Sequence, residues 1–161
     1  MRQENINQVL LEEAQKGLRV VRLKGGDPFL FGRGGEELEL LRENGIPYEV
    51  VPGVTSSIAV PAYNGVPVTH RDFCSSVHII TGHKRAGKEY DIDFRALVDT
   101  KGTLVFLMGV SALPDICAGL INAGMEKDMP AAILQKRHYS RTETDRGYRF
   151  HPGRRGKTPG N

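Results

Sequence analysis

The sequence predicts an α/β fold with mainly parallel sheets, on three observations. Short β-branched runs alternate with amphipathic helical segments, the order that builds parallel sheets covered by helices. Leu18–Lys24 reads as a near-continuous apolar run, as strands buried on both faces do. Four glycine-bearing loops come directly after predicted strands, at the sheet edge where open α/β folds place ligands.

Taken in order, Ile6, Val9, Leu10 and Ala14 recur at helical spacing, predicting a helix over 4–16 that Gly17 closes. Leu18–Lys24 is read as a strand. Glu36–Glu43 is read as a helix with acids in its first turn and Gly45 just beyond its end. Tyr48–Val51 reads as a short strand stopped by Pro52-Gly53, and Thr55 caps a helix running to about Ala62. Residues 64–73 read as a linker. A second unit comes next: strand Val77–Thr81, polar loop 84–91, short helix 93–99 and buried strand Thr103–Met108. Helix 111–123 then carries Leu113, Ile116, Cys117, Leu120 and Ile121 on one face, and strand Ala131–Leu134 ends the unit.

With 161 residues, 39% of them hydrophobic, the chain holds one domain or two small ones with a real core. No apolar run reaches the roughly 18–20 residues that span a bilayer. Cys74 and Cys117 are too few for a disulfide framework, and are expected to be buried thiols of a reduced, cytoplasmic protein. The net charge of +3 is unevenly held. Residues 137–161 carry seven Lys/Arg against two Asp/Glu, and the remainder carries fifteen against seventeen. The basic segment contains no Ala, Val, Leu, Ile or Met, so disorder is expected there. The body is slightly acidic, which argues against nucleic acid as a partner.

The four loops are Gly25-Gly26-Asp27-Pro28, Pro52-Gly53-Val54-Thr55-Ser56, Thr81-Gly82-His83 and Met108-Gly109-Val110. Together they describe a crevice of backbone and small hydroxyls suited to a nucleoside-bearing ligand. Single residues leave alternatives open. Asp27 suits a ribose or amino group, and equally an ordinary turn before Pro28. Thr55 and Ser56 fit ligand contact or a plain helix cap. Met108 fits a core position or a cofactor contact. Arg33 and Arg71 suit solvated surface charge or bidentate carboxylate binding. His83 has no partner at metal-ligand spacing, so no metal is expected.

Val20-Val21-Arg22-Leu23-Lys24-Gly25-Gly26-Asp27-Pro28-Phe29-Leu30-Phe31-Gly32-Arg33-Gly34-Gly35-Glu36-Glu37 closely resembles a signature of the uroporphyrinogen-III C-methyltransferases, within the tetrapyrrole methylases. Val50–Ser57, Val66-Pro67-Val68-Thr69-His70-Arg71, Ser76–His83 and Leu107-Met108-Gly109-Val110 match later segments of that family, in the same order. The resemblance covers roughly residues 2–136. It implies S-adenosylmethionine as cofactor and C-methylation of uroporphyrinogen III to precorrin-2, for sirohaem and cobalamin synthesis. It further implies cofactor contacts at Gly25, Gly26, Asp27, Leu30, Thr55, Ser56 and Met108. Arg33, Glu36, Arg71, His83 and Met108 match positions used toward the tetrapyrrole, and Arg33 or Glu36 is the implied base. The full-length parent is expected to be a homodimer. The alternatives within the class are another precorrin methylase or a diphthamide-pathway methylase. Outside it they are a non-catalytic nucleotide-binding fragment or a basic-tailed nucleic-acid binder.

By the same resemblance the two-domain architecture is incomplete at both ends. Residues 1–72 correspond to the C-terminal part of a first α/β domain, 73–136 to a partial second domain, and 137–161 to a basic tail. The chain begins downstream of a family loop of Gly-Pro-Gly-Asp type, so little turnover is expected of it alone. The likeness stops after Gln135-Lys136. Shifted by one nucleotide, codons for Arg137 onward permit Gly-Thr-Thr-Ala-Gly-Gln-Lys-Arg-Ile-Val-Ala-Thr-Val, a family-like continuation. The tail is therefore read as frameshifted translation.

Overall fold

A computed structural model of the chain describes residues 1–83 and 92–134. The polar loop 84–91 and the whole basic tail, with its expected disorder and frameshift, lie outside the described residues. Two compact units divide the chain, Met1–Ala59 and Val60–Asn161, upstream of the 72/73 boundary expected from sequence.

In the first unit, α1 (Gln3–Gln15) packs against α2 (Gly34–Glu43). Leu10 and Leu11 are the buried residues of α1, whereas Val9 is 45% exposed, so the buried stripe lies one position further round the helix than expected. The α1 terminus is closed by Gly17 in the left-handed region (φ 77°), its N–H donating to the Ala14 carbonyl at 2.9 Å. Gly45 (φ 66°) closes α2 in the same way, donating to the Arg42 carbonyl at 3.1 Å. A third helix, α3 (Ser56–Tyr63), begins where Thr55 Oγ1 accepts from the Ser57 N–H at 3.3 Å.

The second unit is built on a parallel pair, β1 (Val77–Thr81) and β2 (Thr103–Leu107), in register Val77↔Thr103 through Thr81↔Leu107. Between them in sequence lies α4 (Phe94–Asp99), whose N-cap Asp93 accepts from the Ala96 N–H at 2.9 Å. A 3₁₀ turn, Val110–Ala112, leads from β2 into α5 (Leu113–Asn122). Parallel pairing of β1 and β2 places this unit in the α/β class. Ala112 and Ile116 are buried here, and the Phe94 ring of α4 lies against Gly119 of α5.

Three expected strands have no strand ladder among the described residues: 18–24, 48–51 and 131–134. A strand exists through its neighbours, and an apolar run specifies burial without supplying a partner. Val21 and Leu23, expected to be buried on both faces, are 73% and 81% exposed. The two thiols are a second correction: Cys74 is half-buried and Cys117 exposed. Ile116 takes the inward position of α5, which turns the next residue about 100° away.

Candidate functional site

The four loops picked out in the sequence come together two by two. In the first unit, Gly25-Gly26-Asp27 lies backbone-to-backbone against Pro52-Gly53-Val54. A Cβ placed on Gly53 would sit 2.5 Å from the Gly26 carbonyl oxygen and 3.1 Å from the Asp27 nitrogen. A Cβ on Gly26 would meet the Val54 carbonyl oxygen at 3.3 Å. Glycine is required by proximity here, since no side chain fits between the two stretches of backbone.

Asp27 fastens the two loops. Its Oδ1 accepts from the N–H groups of Phe29 (2.9 Å) and Leu30 (3.1 Å), and its Oδ2 from the Gly53 N–H, 3.2 Å away. The Phe29 hydrogen bond, then those of Gly53 and Leu30, hold this carboxyl below the usual aspartate range despite some desolvation. The carboxylate thus makes the turn before Pro28 and reaches 26 residues along the chain to Gly53. Most of the carboxylate's acceptor capacity is used on backbone.

The segment from Pro28 to Gly34 curls back on itself, the Gly34 N–H donating to the Pro28 carbonyl at 2.9 Å. Phe31 and Arg33 both lie in the left-handed region, at φ 54° and 57°. Non-glycine residues held there are concentrated at functional loops. Arg33 stands at the start of α2, and its Nε donates to both Glu36 carboxylate oxygens, at 2.9 and 3.1 Å. Both side chains are about half exposed, at 51% and 49%. Thr55 is half-buried and Ser56 exposed. The neighbouring Ser57, which no sequence signal marked, is 1% exposed with its hydroxyl 2.9 Å from Thr55 Oγ1.

In the second unit the ends of β1 and β2 repeat the arrangement. The Gly82 N–H donates to the Leu107 carbonyl at 2.7 Å, and a Cβ on Gly82 would collide with Gly109. Ile116 Cδ1 closes the underside, 3.3 and 3.2 Å from the Cβ positions of Gly82 and Gly109. Met108 is left-handed (φ 57°) and 58% exposed, so it does not take a core position. His83, exposed, donates its N–H to Thr81 Oγ1 at 3.2 Å. Arg71 belongs to a different part of this unit, the exposed turn bridged by His70 and Cys74. Gly25, Gly26, Asp27, Leu30, Arg33, Glu36, Thr55 and Ser56 thus gather in the first unit, and His83 and Met108 in the second.

Glu37 is a further residue that sequence reasoning does not single out. It is the buried charged residue among the described residues, 5% exposed, and it is surrounded by Gln3, Arg22 and Lys24. The available signal is the i, i+2 spacing of Arg22 and Lys24, which puts two cations on one face of an extended segment and calls for a carboxylate.

The fold is of the α/β class, with close backbone-to-backbone loops in the first unit and, in the second, glycine loops at the ends of the parallel β1–β2 pair. The family model of the Tetrapyrrole (Corrin/Porphyrin) Methylases matches residues 1–138, and the chain belongs to that family. It is 64% identical over 135 residues to the porphyrin biosynthesis protein HemD of Ruminiclostridium josui, covering 84% of this chain and 27% of that protein. It is 59% identical over 133 residues to siroheme synthase 2 of Klebsiella pneumoniae, covering 83% and 29%. The chain therefore spans less than a third of the length of these curated relatives. Among solved structures, uroporphyrin-III C-methyl transferase from Thermus thermophilus complexed with S-adenosyl homocysteine superimposes with a TM-score of 0.66 at 43% identity, over 77% of this chain and 53% of that one. A cobalt precorrin-4 methyltransferase superimposes with a TM-score of 0.69 at 28% identity, over 81% and 54%.

Proposed function

We propose that this chain forms part of the cofactor and substrate surface of an S-adenosylmethionine-dependent uroporphyrinogen-III C-methyltransferase, acting in sirohaem or cobalamin synthesis. The observation that carries the reading is the meeting of Gly25-Gly26-Asp27 with Pro52-Gly53-Val54, where any side chain on Gly53 would collide with backbone. Such a juncture leaves main-chain donors and acceptors for a nucleoside to use, and a Cβ at Gly25 would point into open space. The higher identity to the uroporphyrin-III enzyme, 43% against 28% for the precorrin-4 enzyme, favours the first tetrapyrrole methylation over a later one.

Gly25, Gly26, Asp27, Leu30, Thr55, Ser56 and Met108 are the residues assigned to the cofactor, with Asp27 also setting the loop shape around them. When bound, S-adenosylmethionine supplies an electrophilic methyl group that needs little activation. The protein's share is then to hold the nucleophilic ring carbon in line with that methyl, which is positional catalysis. Arg33, Arg71 and His83 are assigned to the acidic tetrapyrrole, since guanidinium groups pair with carboxylates in a fixed fork. Glu36, held by Arg33, is assigned to take up the ring proton after transfer. Homodimerisation of the enzyme belongs to the same proposal. Among the described residues no helix is long and apolar enough to cross a membrane.

Calorimetric titration of the 161-residue chain with S-adenosylhomocysteine, and separately with uroporphyrin III, tests the reading. Saturable binding of both is expected, with the porphyrin weakened by Arg33→Ala. Absence of S-adenosylhomocysteine binding would overturn the cofactor assignment.

A further inference from the structure

The buried Glu37 lies outside the residues assigned to either ligand, yet it touches both ends of the loop that carries them. Its Oε1 accepts from Gln3 Nε2 (3.0 Å), Arg22 Nε (3.1 Å) and Lys24 Nζ (3.0 Å), while Oε2 accepts from Lys24 Nζ at 3.1 Å. Lys24 is the residue immediately before Gly25-Gly26-Asp27, and Glu37 stands in the first turn of α2, just after the loop ends. The two are thirteen residues apart in sequence and joined at both carboxylate oxygens. Their side chains are 14% and 6% exposed, so water competes little for either charge.

We infer that Glu37 and Lys24 form a clasp at the base of the Gly25–Glu36 loop, making Glu37 a positioning residue for the ligand-binding backbone at its tip. Three fastenings then act in series on one loop. The clasp fixes where the chain leaves and rejoins the body. The Gly34–Pro28 hydrogen bond closes the curl, and Asp27 ties the tip to Gly53. The left-handed conformations of Phe31 and Arg33 persist only if their surroundings over-determine them, and a closed base is one such constraint. An apolar pair would fill the same volume but would leave the loop's entry and exit unspecified in register. A carboxylate whose two oxygens are shared among three fixed donors accepts one arrangement. The consequence for cofactor affinity rests on the functional reading above; the clasp itself does not.

The test uses amide hydrogen exchange by NMR on the full 161-residue chain, with Glu37→Gln, Lys24→Met and the double variant. The informative amides are those of Phe29, Leu30, Gly34 and Gly53, each donating within the loop system. The expected result is about tenfold or faster exchange at these amides in either single variant, as for loss of a charge-assisted hydrogen bond, with the double variant no worse than the more affected single one. The amides of α1, those of α2 beyond Glu37 and the β1–β2 ladder should keep their wild-type rates. S-adenosylhomocysteine affinity should fall by a similar factor in chains that remain folded. Exchange that rises uniformly through α1 and α2 would make Glu37 a purely structural group and overturn the inference, as would wild-type exchange at the loop amides. If Glu37→Gln does not fold, Lys24→Met decides, because it leaves Gln3 and Arg22 on the carboxylate. If wild-type chain binds no S-adenosylhomocysteine, the cofactor reading fails while the exchange data still decide the clasp.

Discussion

Gly53 stands so close to Gly26 that a single methyl group on it would lie 2.5 Å from the Gly26 carbonyl oxygen. Backbone faces backbone on both sides, so neither partner can rotate away as a flexible side chain would. Gly53→Ala is expected to destabilise the chain by about 1–3 kcal/mol through overpacking. Gly35→Ala, at a helical position with open space around the new Cβ, should leave stability unchanged or raise it by about 0.5–1 kcal/mol. Urea unfolding of the two variants checks both signs at once.

Asp27 predicts a pH dependence. Its carboxyl is held below the ordinary aspartate value of 3.8, chiefly by the Phe29 amide and then by Gly53 and Leu30. A depressed folded-state value means the stabilisation is fully present above 3.8 and is lost as the pH falls through the lower folded value. Carbon-detected NMR titration should place the Asp27 midpoint below that of a typical exposed aspartate, with the Gly53 amide shifting in step. A normal midpoint would remove the carboxylate from its place between the loops.

Ile116 is 3% exposed, and its Cδ1 lies under both Gly82 and Gly109. Ile116→Ala should cost about 2–5 kcal/mol, the range for emptying a buried aliphatic site. The loss should fall on the second unit. NMR peak intensities of the β1 and β2 amides in increasing urea distinguish this from uniform destabilisation.

The segment Leu18–Lys24 marks where sequence and structure part. All five α-helices among the described residues were located to within a few residues, 4–16 and 111–123 from their apolar patterning and 36–43 and 55–62 from end signals, because these are local features. So were β1 and β2, whose partners are each other. Leu18–Lys24 has the pattern of a buried strand, but pairing is a property of two segments, and none of the described residues pairs with it. The site shows the same division. Glycine positions and the Thr55 cap were legible because they are conformational signals. The role of Asp27 was not, because its third donor, Gly53, lies 26 residues away. Glu37 reads as an ordinary first-turn acid because its partners Gln3, Arg22 and Lys24 come from two other segments.

Exposure of that segment has its own consequence. Val21, Leu23, Val51 and Val54 are 73%, 81%, 76% and 74% exposed, which leaves apolar surface open to association between chains. Leu23→Lys should leave unfolding free energy within about 0.5 kcal/mol of wild type, as surface changes do. It should also slow aggregation, followed by light scattering at matched concentration.

The most direct test of the backbone cradle is an amide-resolved NMR titration of the 161-residue chain with S-adenosylhomocysteine, run alongside Gly53→Ala and Gly35→Ala. The cradle predicts saturable shifts at Gly25, Gly26, Gly53 and Thr55, retained in Gly35→Ala and abolished in Gly53→Ala. Equal affinity in wild type and Gly53→Ala, or ligand shifts that bypass these amides, would contradict it.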